Sequence, residues 1–393
     1  MSKTHQPYFA VNVISLLIIL QACNSTPKIP VNSKFLGETI STTVDSEVAR
    51  YYLESYLQGS RLNPDLDVRI GELYKQQKEA IPTREELKKK SDRFSVDFAA
   101  LFLADRLWAD ENNRKIQNFF NHLLKDKKSI PNLLEYNALS CMLLFVPGWD
   151  YVENGHLTGA DFAEPRKLVT GLGIENHLVE IPTTGSVEDI ADYLTKELMV
   201  RSKSEKSIIL VGASSAGPAI HLSLGEMINR HESKGVKAWV NLGGILQGSP
   251  LIDHYQKWPQ RWLFNTVVWY QGWNKDKMLS MSAKQSRDRF ERLNINKNIL
   301  VINYMGLPLS GQLSKYSKDK YPLLASKGPN DGLTLLRDVI APNSLTIIAL
   351  GSDHLFAEDP KINDRTIALT ILVISYLEEK KHSNINAIES ARL

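Results

Sequence analysis

From residue 140 onward the chain alternates short apolar runs with amphipathic stretches, and that rhythm constrains its fold more than any other feature. The apolar runs are 141–146, 177–181, 207–212, 236–242, 298–304 and 345–350. They are too short for buried helices and too uniformly apolar for strands with one wet face. Between them, 187–199 and 218–230 read as helices; in the second, Ile220, Leu224, Met227 and Ile228 share one face. Strands alternating with helices imply βαβ units, and so a mostly parallel sheet with helices on both faces.

Composition narrows the function classes. Of 393 residues 43% are hydrophobic, enough for a large core. Lys and Arg number 47 against 44 Asp and Glu, a net charge of +3. That balance gives no global footprint for nucleic acid, and Lys88, Lys89 and Lys90 sit in a charged helical setting that reads as a solvated face. Two cysteines exclude a disulfide scaffold and a Cys-rich metal centre. No His-Glu-x-x-His occurs, so neither metal nor cofactor is expected.

The chemistry centres on Ile208-Ile-Leu-Val-Gly-Ala-Ser-Ser-Ala-Gly-Pro218. An apolar strand runs into small residues around a serine, and a helix follows. This is the setting of a strained strand-to-helix turn that presents a nucleophilic hydroxyl. The residues two before and two after such a serine crowd each other and must be small. Ser214 has Gly212 and Ala216 in those places, and Ser215 has Ala213 and Gly217. Ser214 is preferred because Val211-Gly212 closes the strand, with Ser215 as the alternative.

A nucleophilic serine needs a base, and the base needs an acid to orient it. Asp331 follows the next-to-last strand in Gly328-Pro-Asn-Asp-Gly332, and His354 follows the last in Gly351-Ser-Asp-His354. Asp353, adjacent to the histidine, ranks second as the acid, and Asp338 third. The carboxyl ends of strands in an open α/β sheet face the ligand crevice, so the three residues are expected to converge there. Two backbone N–H groups should receive the developing oxyanion: that of Ser215, and that of Trp149 in the loop Val146-Pro-Gly-Trp149.

Residues 140–380 resemble the α/β-hydrolase superfamily, most closely its lipase-like branch. The resemblance lies in Val146-Pro-Gly148-Trp149, Gly212-Ala-Ser214-Ser-Ala-Gly217, Gly248-Ser249-Pro250, Asn330-Asp331-Gly332 and Asp353-His354-Leu355. It implies hydrolysis of a small-molecule or lipid ester through an acyl-enzyme, or acyl transfer by the same machinery. The departure is Ala216, where the family carries a second glycine. That departure motivates the alternative of a catalytically inactive hydrolase fold serving as an envelope binding or scaffold protein.

The N-terminus reads as an address. Lys3 precedes an apolar stretch from Ala10 to Leu20, too short to span a bilayer. It ends in Leu20-Gln-Ala-Cys23, which resembles a bacterial lipobox and implies a lipidated Cys23 that attaches the chain to the membrane of the bacterial cell envelope. By the same resemblance, Asn24 favours the outer membrane. The expected division is a signal peptide at 1–22, a tether at 23–42, a helical N-terminal region at 43–135, a hydrolase domain at 136–381 and a tail at 382–393. Within the hydrolase domain, 249–293 forms an aromatic-rich, cap-like insertion holding Trp258, Trp262, Trp269 and Trp273. Cys141, in an apolar run, reads as a buried hydrophobe rather than a nucleophile. Oligomeric state leaves no mark on the sequence.

Overall fold

The computed structural model describes residues 28–77, 80–125, 140–203, 206–229 and 232–390. The expected signal peptide and Cys23 lie outside the described residues. The first described element is an antiparallel hairpin of β1 (Ile29–Phe35) and β2 (Glu38–Val44). The expected tether is therefore corrected over most of its length. Val31, Phe35, Ile40 and Val44 point inward with period two and are buried. Leu36 and Gly37 turn the chain with φ of 49° and 81°, the left-handed pair that joins two strands tightly.

Helices follow at Glu47–Tyr51, Pro64–Gln76, Arg84–Arg93, Val96–Ala109 and Glu111–Lys125. Thr83 and Glu86 close a capping box at the third, as their spacing predicts. Lys90, expected on a solvated face, is buried with its Nζ 4.7 Å from the Phe102 ring centre.

The second half forms a six-stranded sheet of β3 (Cys141–Val146), β4 (Glu175–Leu178), β5 (Ser207–Ala213), β6 (Val236–Leu242), β7 (Leu300–Leu307) and β8 (Leu345–Leu350). Every pairing is parallel, in the spatial order β4-β3-β5-β6-β7-β8. Five strands fall where the apolar runs predict them. β4 pairs two residues earlier than expected; beyond it, the Val179 N–H still donates to Phe145 O at 2.8 Å.

Alternate strand residues feed two cores, which is why the central runs are mostly apolar on both faces. Met142, Leu144, Leu210 and Trp239 face the helices Val187–Arg201 and Ala216–Leu222. Leu143, Phe145, Val211 and Val240 face Ala163–Gly171 and the long helix Ile362–Ser390. That last helix continues through 382–390, correcting the expected tail; no glycine or proline interrupts it.

The N-terminal helices complete the sheet. A third core joins them and the hairpin to Met305, Leu307, Leu336, Val339, Ile348 and Leu350. Helix Glu111–Lys125 lies along the free edge of β8. Asn113 Oδ1 accepts the Thr346 N–H at 2.8 Å, and Gln117 Oε1 accepts the Ile348 N–H at 2.7 Å. One turn on, Asn121 Nδ2 donates to Leu36 O in the hairpin turn at 2.7 Å. Asn113 and Gln117 thus satisfy backbone that an open edge would leave to water or to another chain, and Asn121 on the same face ties the helix to the hairpin.

Candidate active site

Strand β5 ends at Ala213, and the next helix begins at Ala216. Ser214 sits between them with φ of 53°, a left-handed conformation that costs a side-chain-bearing residue about 1–3 kcal/mol. Its backbone is fastened on both sides. Ser214 N donates to Leu242 O at 3.2 Å, and Ser214 O accepts from Gly217 N and Ile245 N, each at 3.1 Å. A Cβ on Gly212 would overlap Ile220 Cδ1 and lie 3.3 Å from the Ala216 Cβ. The glycine at 212 therefore makes room for the methyl at 216, so the departure from a second glycine leaves the turn intact. At 217 a glycine is required, because a Cβ there would lie 2.7 Å from Gly244 Cα.

His354 Nε2 lies 3.0 Å from Ser214 Oγ, and His354 Nδ1 lies 2.9 Å from Asp331 Oδ2. With its proton on Nδ1, the ring donates to the carboxylate and leaves Nε2 to accept from the serine hydroxyl. Asp331 is 1% exposed and held from its other side: Oδ1 accepts Leu333 N at 2.9 Å and Thr334 N at 2.8 Å. The His354 N–H also donates to Asp331 O at 3.0 Å, so the two loops are joined through backbone as well as side chain.

The other candidates are placed elsewhere. Ser215 opens the helix with its Oγ buried and without a partner among the described residues. Asp353 turns away from the imidazole and accepts Ser314 N at 2.7 Å and Leu355 N at 2.9 Å. Asp338 is buried between Arg84 Nε at 2.8 Å and Arg287 Nη2 at 3.3 Å. Cys141 is buried in β3, and that burial pushes its thiol up to about 11. Among the described residues no group of three or more His, Cys, Asp or Glu could hold a metal ion.

The loop after β3 approaches the serine. A Cβ on Gly148 would lie 3.8 Å from the Ser214 Cβ. Gly148 N donates to Ala160 O and Asp150 N to Thr183 O, whereas the N–H groups of Trp149 and Ser215 donate to no protein acceptor among the described residues. Both remain free to bind an oxygen.

Ser214 and His354 border a cavity of about 850 Å³. Its walls are apolar: Phe145, Val211 and Val240 from the sheet, Phe162 below the loop, and Leu369 and Val373 from the last helix. Trp273 and Met278 of the insertion also line it, and Trp273 meets Trp149 edge-on at 6.2 Å. Lys320 reaches the same cavity, its ammonium pKa lowered by burial. Sequence reading placed a crevice at the strand ends but gave neither its extent along the last helix nor Lys320. The last helix is apolar on the face it turns inward, but nothing in its residue types marks where packing stops.

No family model and no curated protein matches the sequence. Solved structures do. A metagenomic carboxyl esterase superposes with a TM-score of 0.50 at 17% identity, over 61% of this chain and 76% of that one. This chain has the α/β-hydrolase fold. A Bacillus licheniformis lipase in its mature form gives 0.46 at 16% identity, over 61% of this chain and 91% of its own. Lipase 1 from Pelosinus fermentans gives 0.42 at 11%, over 61% and 98%. The likeness is one of fold; within the α/β-hydrolase frame, the chemistry must be argued from this chain's own residues.

Proposed function

We propose that this chain is a serine hydrolase of carboxylic esters with apolar acyl groups. The observation that carries the reading is the unbroken line of hydrogen bonds from Ser214 through His354 to Asp331. Ser214 Oγ attacks the ester carbonyl while His354 Nε2 takes its proton, and the negatively charged Asp331 steadies the imidazolium. The N–H groups of Trp149 and Ser215 receive the oxyanion. His354 then gives the proton to the leaving alkoxide, and an acyl group stays on Ser214. Water, deprotonated by the same imidazole, releases the acid and restores the serine.

The apolar cavity suits the acyl side of the substrate. It follows β5 from Ala213 to Ile209, about 13 Å at roughly 3.3 Å per residue. Each methylene buried there contributes about 0.8 kcal/mol, roughly fourfold in kcat/KM, until the cavity is filled.

A fluorophosphonate probe tests the assignment. The full chain should be labelled, Ser214→Ala should not, and Ser215→Ala should keep its label because the Ser215 backbone N–H survives the change. Short-chain ester turnover should fall at least about 10³-fold in Ser214→Ala. Absence of labelling in the unaltered chain would overturn the enzymatic reading and leave a binding or scaffold protein. Lipid attachment and an envelope location belong to the same proposal and rest on Leu20-Gln-Ala-Cys23 and Asn24. Cys23→Ser should abolish palmitate incorporation and release the chain from the membrane fraction.

A further inference from the structure

The insertion between β6 and β7 carries a surface that packing does not explain. Helix Gln260–Tyr270 buries Phe264 and Val268 and stacks Phe264 on Tyr255 at 6.2 Å. Its opposite face shows solvent the largest side chains in the protein. Trp258 is 87% exposed, Trp262 70% and Trp269 80%, with Tyr270 beside them at 55%. Trp262 and Trp269 are seven apart on the helix and share one face, and Trp258 is exposed just before the helix begins. An insertion that merely filled its own core would have turned these rings inward.

The segment that carries these rings is also cationic. From 254 to 275 the chain holds no Asp or Glu, while Lys257, Arg261 and Lys275 fall within it. Lys257 and Arg261 are exposed and form no ion pair among the described residues. Exposed indoles in the same short segment as exposed cations suit a headgroup region, where the rings enter the acyl boundary and the cations meet phosphate. A second copy of this chain is a poorer occupant. A two-fold contact sets a patch against itself and would bring Lys257 and Arg261 against their own counterparts.

We propose that this outward face docks the protein on an anionic lipid surface. Trp273, three residues past Tyr270, lines the cavity that contains Ser214, so docking brings the cavity mouth to the bilayer. The docking rests on the surface itself and stands whether or not the ester-hydrolase reading holds.

The test uses the full chain with Cys23→Ser, so that no acyl anchor contributes. Vesicles of phosphatidylglycerol with phosphatidylcholine, and of phosphatidylcholine alone, serve as probes in co-flotation and indole emission. The expected results are binding to the anionic vesicles with a blue shift, and at least a tenfold loss in Trp258→Ser/Trp262→Ser/Trp269→Ser. Lys257→Gln/Arg261→Gln should lose affinity for anionic vesicles only, roughly fivefold per cation. Hydrolysis of a soluble short-chain ester should remain within twofold in both variants, which separates failure of docking from failure of catalysis. Unchanged vesicle affinity in the tryptophan variant would overturn the proposal. So would a shift from dimer to monomer in that variant with no change in vesicle binding, which would assign the exposed rings to self-association.

Discussion

Gln117 offers the sharpest test of how this molecule holds its last strand. Its Oε1 accepts the Ile348 N–H at 2.7 Å, and its Nε2 lies 3.4 Å from Ile348 O and 3.2 Å from Asn121 Oδ1. Both residues are 2% exposed, so no water replaces a lost partner readily. Leucine at 117 keeps the volume and removes both partners. An unpartnered buried N–H costs about 1–3 kcal/mol, while the long bond to the carbonyl adds little. Burying a more apolar side chain returns part of that cost, leaving a net loss of about 2 kcal/mol. With an m-value of about 3 kcal/mol/M or more in urea, the midpoint should fall by roughly 0.5 M. Emission of the fully buried Trp239 is one reporter of the transition. The control is Lys115→Ala on the exposed face of the same helix, expected within about 0.5 kcal/mol of the parent. If Gln117→Leu and Lys115→Ala have indistinguishable midpoints, the edge of β8 does not depend on that amide, and the account of the N-terminal helices as its cover is wrong.

Three further outcomes follow from the site and its supports. Asp331→Asn should lower kcat for a soluble ester by roughly 10³–10⁴-fold, since an amide stabilises neither the right tautomer nor the imidazolium; steady-state kinetics showing less than a tenfold loss would remove Asp331 from its role. Gly212→Ala should abolish fluorophosphonate labelling by driving a methyl into Ile220 Cδ1, and Ile220→Val, which deletes that atom, should restore part of it; a double variant no better than the single would mean that the overlap is not the cause. Asp97 is raised to about 7 by burial and by the charge of Asp45, against the Ser310 hydroxyl and the N–H groups of Asp45 and Ser310. Its folded pKa exceeds its unfolded value, so the folded protein holds more protons and stability should fall as the pH climbs from about 4 to about 7, by up to about 1.4 kcal/mol per unit. Urea midpoints at about pH 5 and pH 7 should show this, and Asp97→Asn should flatten the dependence; a slope of opposite sign in the parent would refute it.

What the sequence makes legible follows from burial and from chemistry. β3, β5, β6, β7 and β8 are buried on both faces, so their residues have little freedom to be anything but apolar. The grouping of Ser214, Asp331 and His354 is legible because each follows a strand of the sheet in chain order, Ser214 and His354 within a few residues of a strand end and Asp331 in the long connection after β7. The hairpin is hidden for the opposite reason. Its inward positions include Ser33 and Thr42 as well as Val31 and Ile40, and its turn is Leu36-Gly37 rather than a pair that announces itself. β4 slips because Asn176 and His177 belong to an edge strand that need not be apolar. Asn113, Gln117 and Asn121 look like a solvated stripe, and an amide that imitates backbone has the same letter as one facing water. The cavity is least legible of all, since an absence of packing has no residue type.

Apart from the cavity, these hidden features concern how the site is held. No described residue of the N-terminal region lines the cavity. Yet Arg84 pairs with Asp338, Arg337 Nε donates to Pro82 O at 3.2 Å, and Asp97 accepts from Ser310 N, Ser310 Oγ and Tyr321 Oη. Those partners lie between the end of β7 and the start of β8, the stretch that presents Asp331. β8, whose outer edge is closed by Asn113 and Gln117, leads directly to His354. His354 and Asp331 thus stand on loops braced from outside the sheet, while Ser214 is braced from within it by Leu242, Gly217 and Ile245. A triad that must keep its members about 3 Å apart needs both supports. The N-terminal helices therefore pack as one body with the α/β-hydrolase fold, and in the proposed reaction they would act only through the position of these two loops.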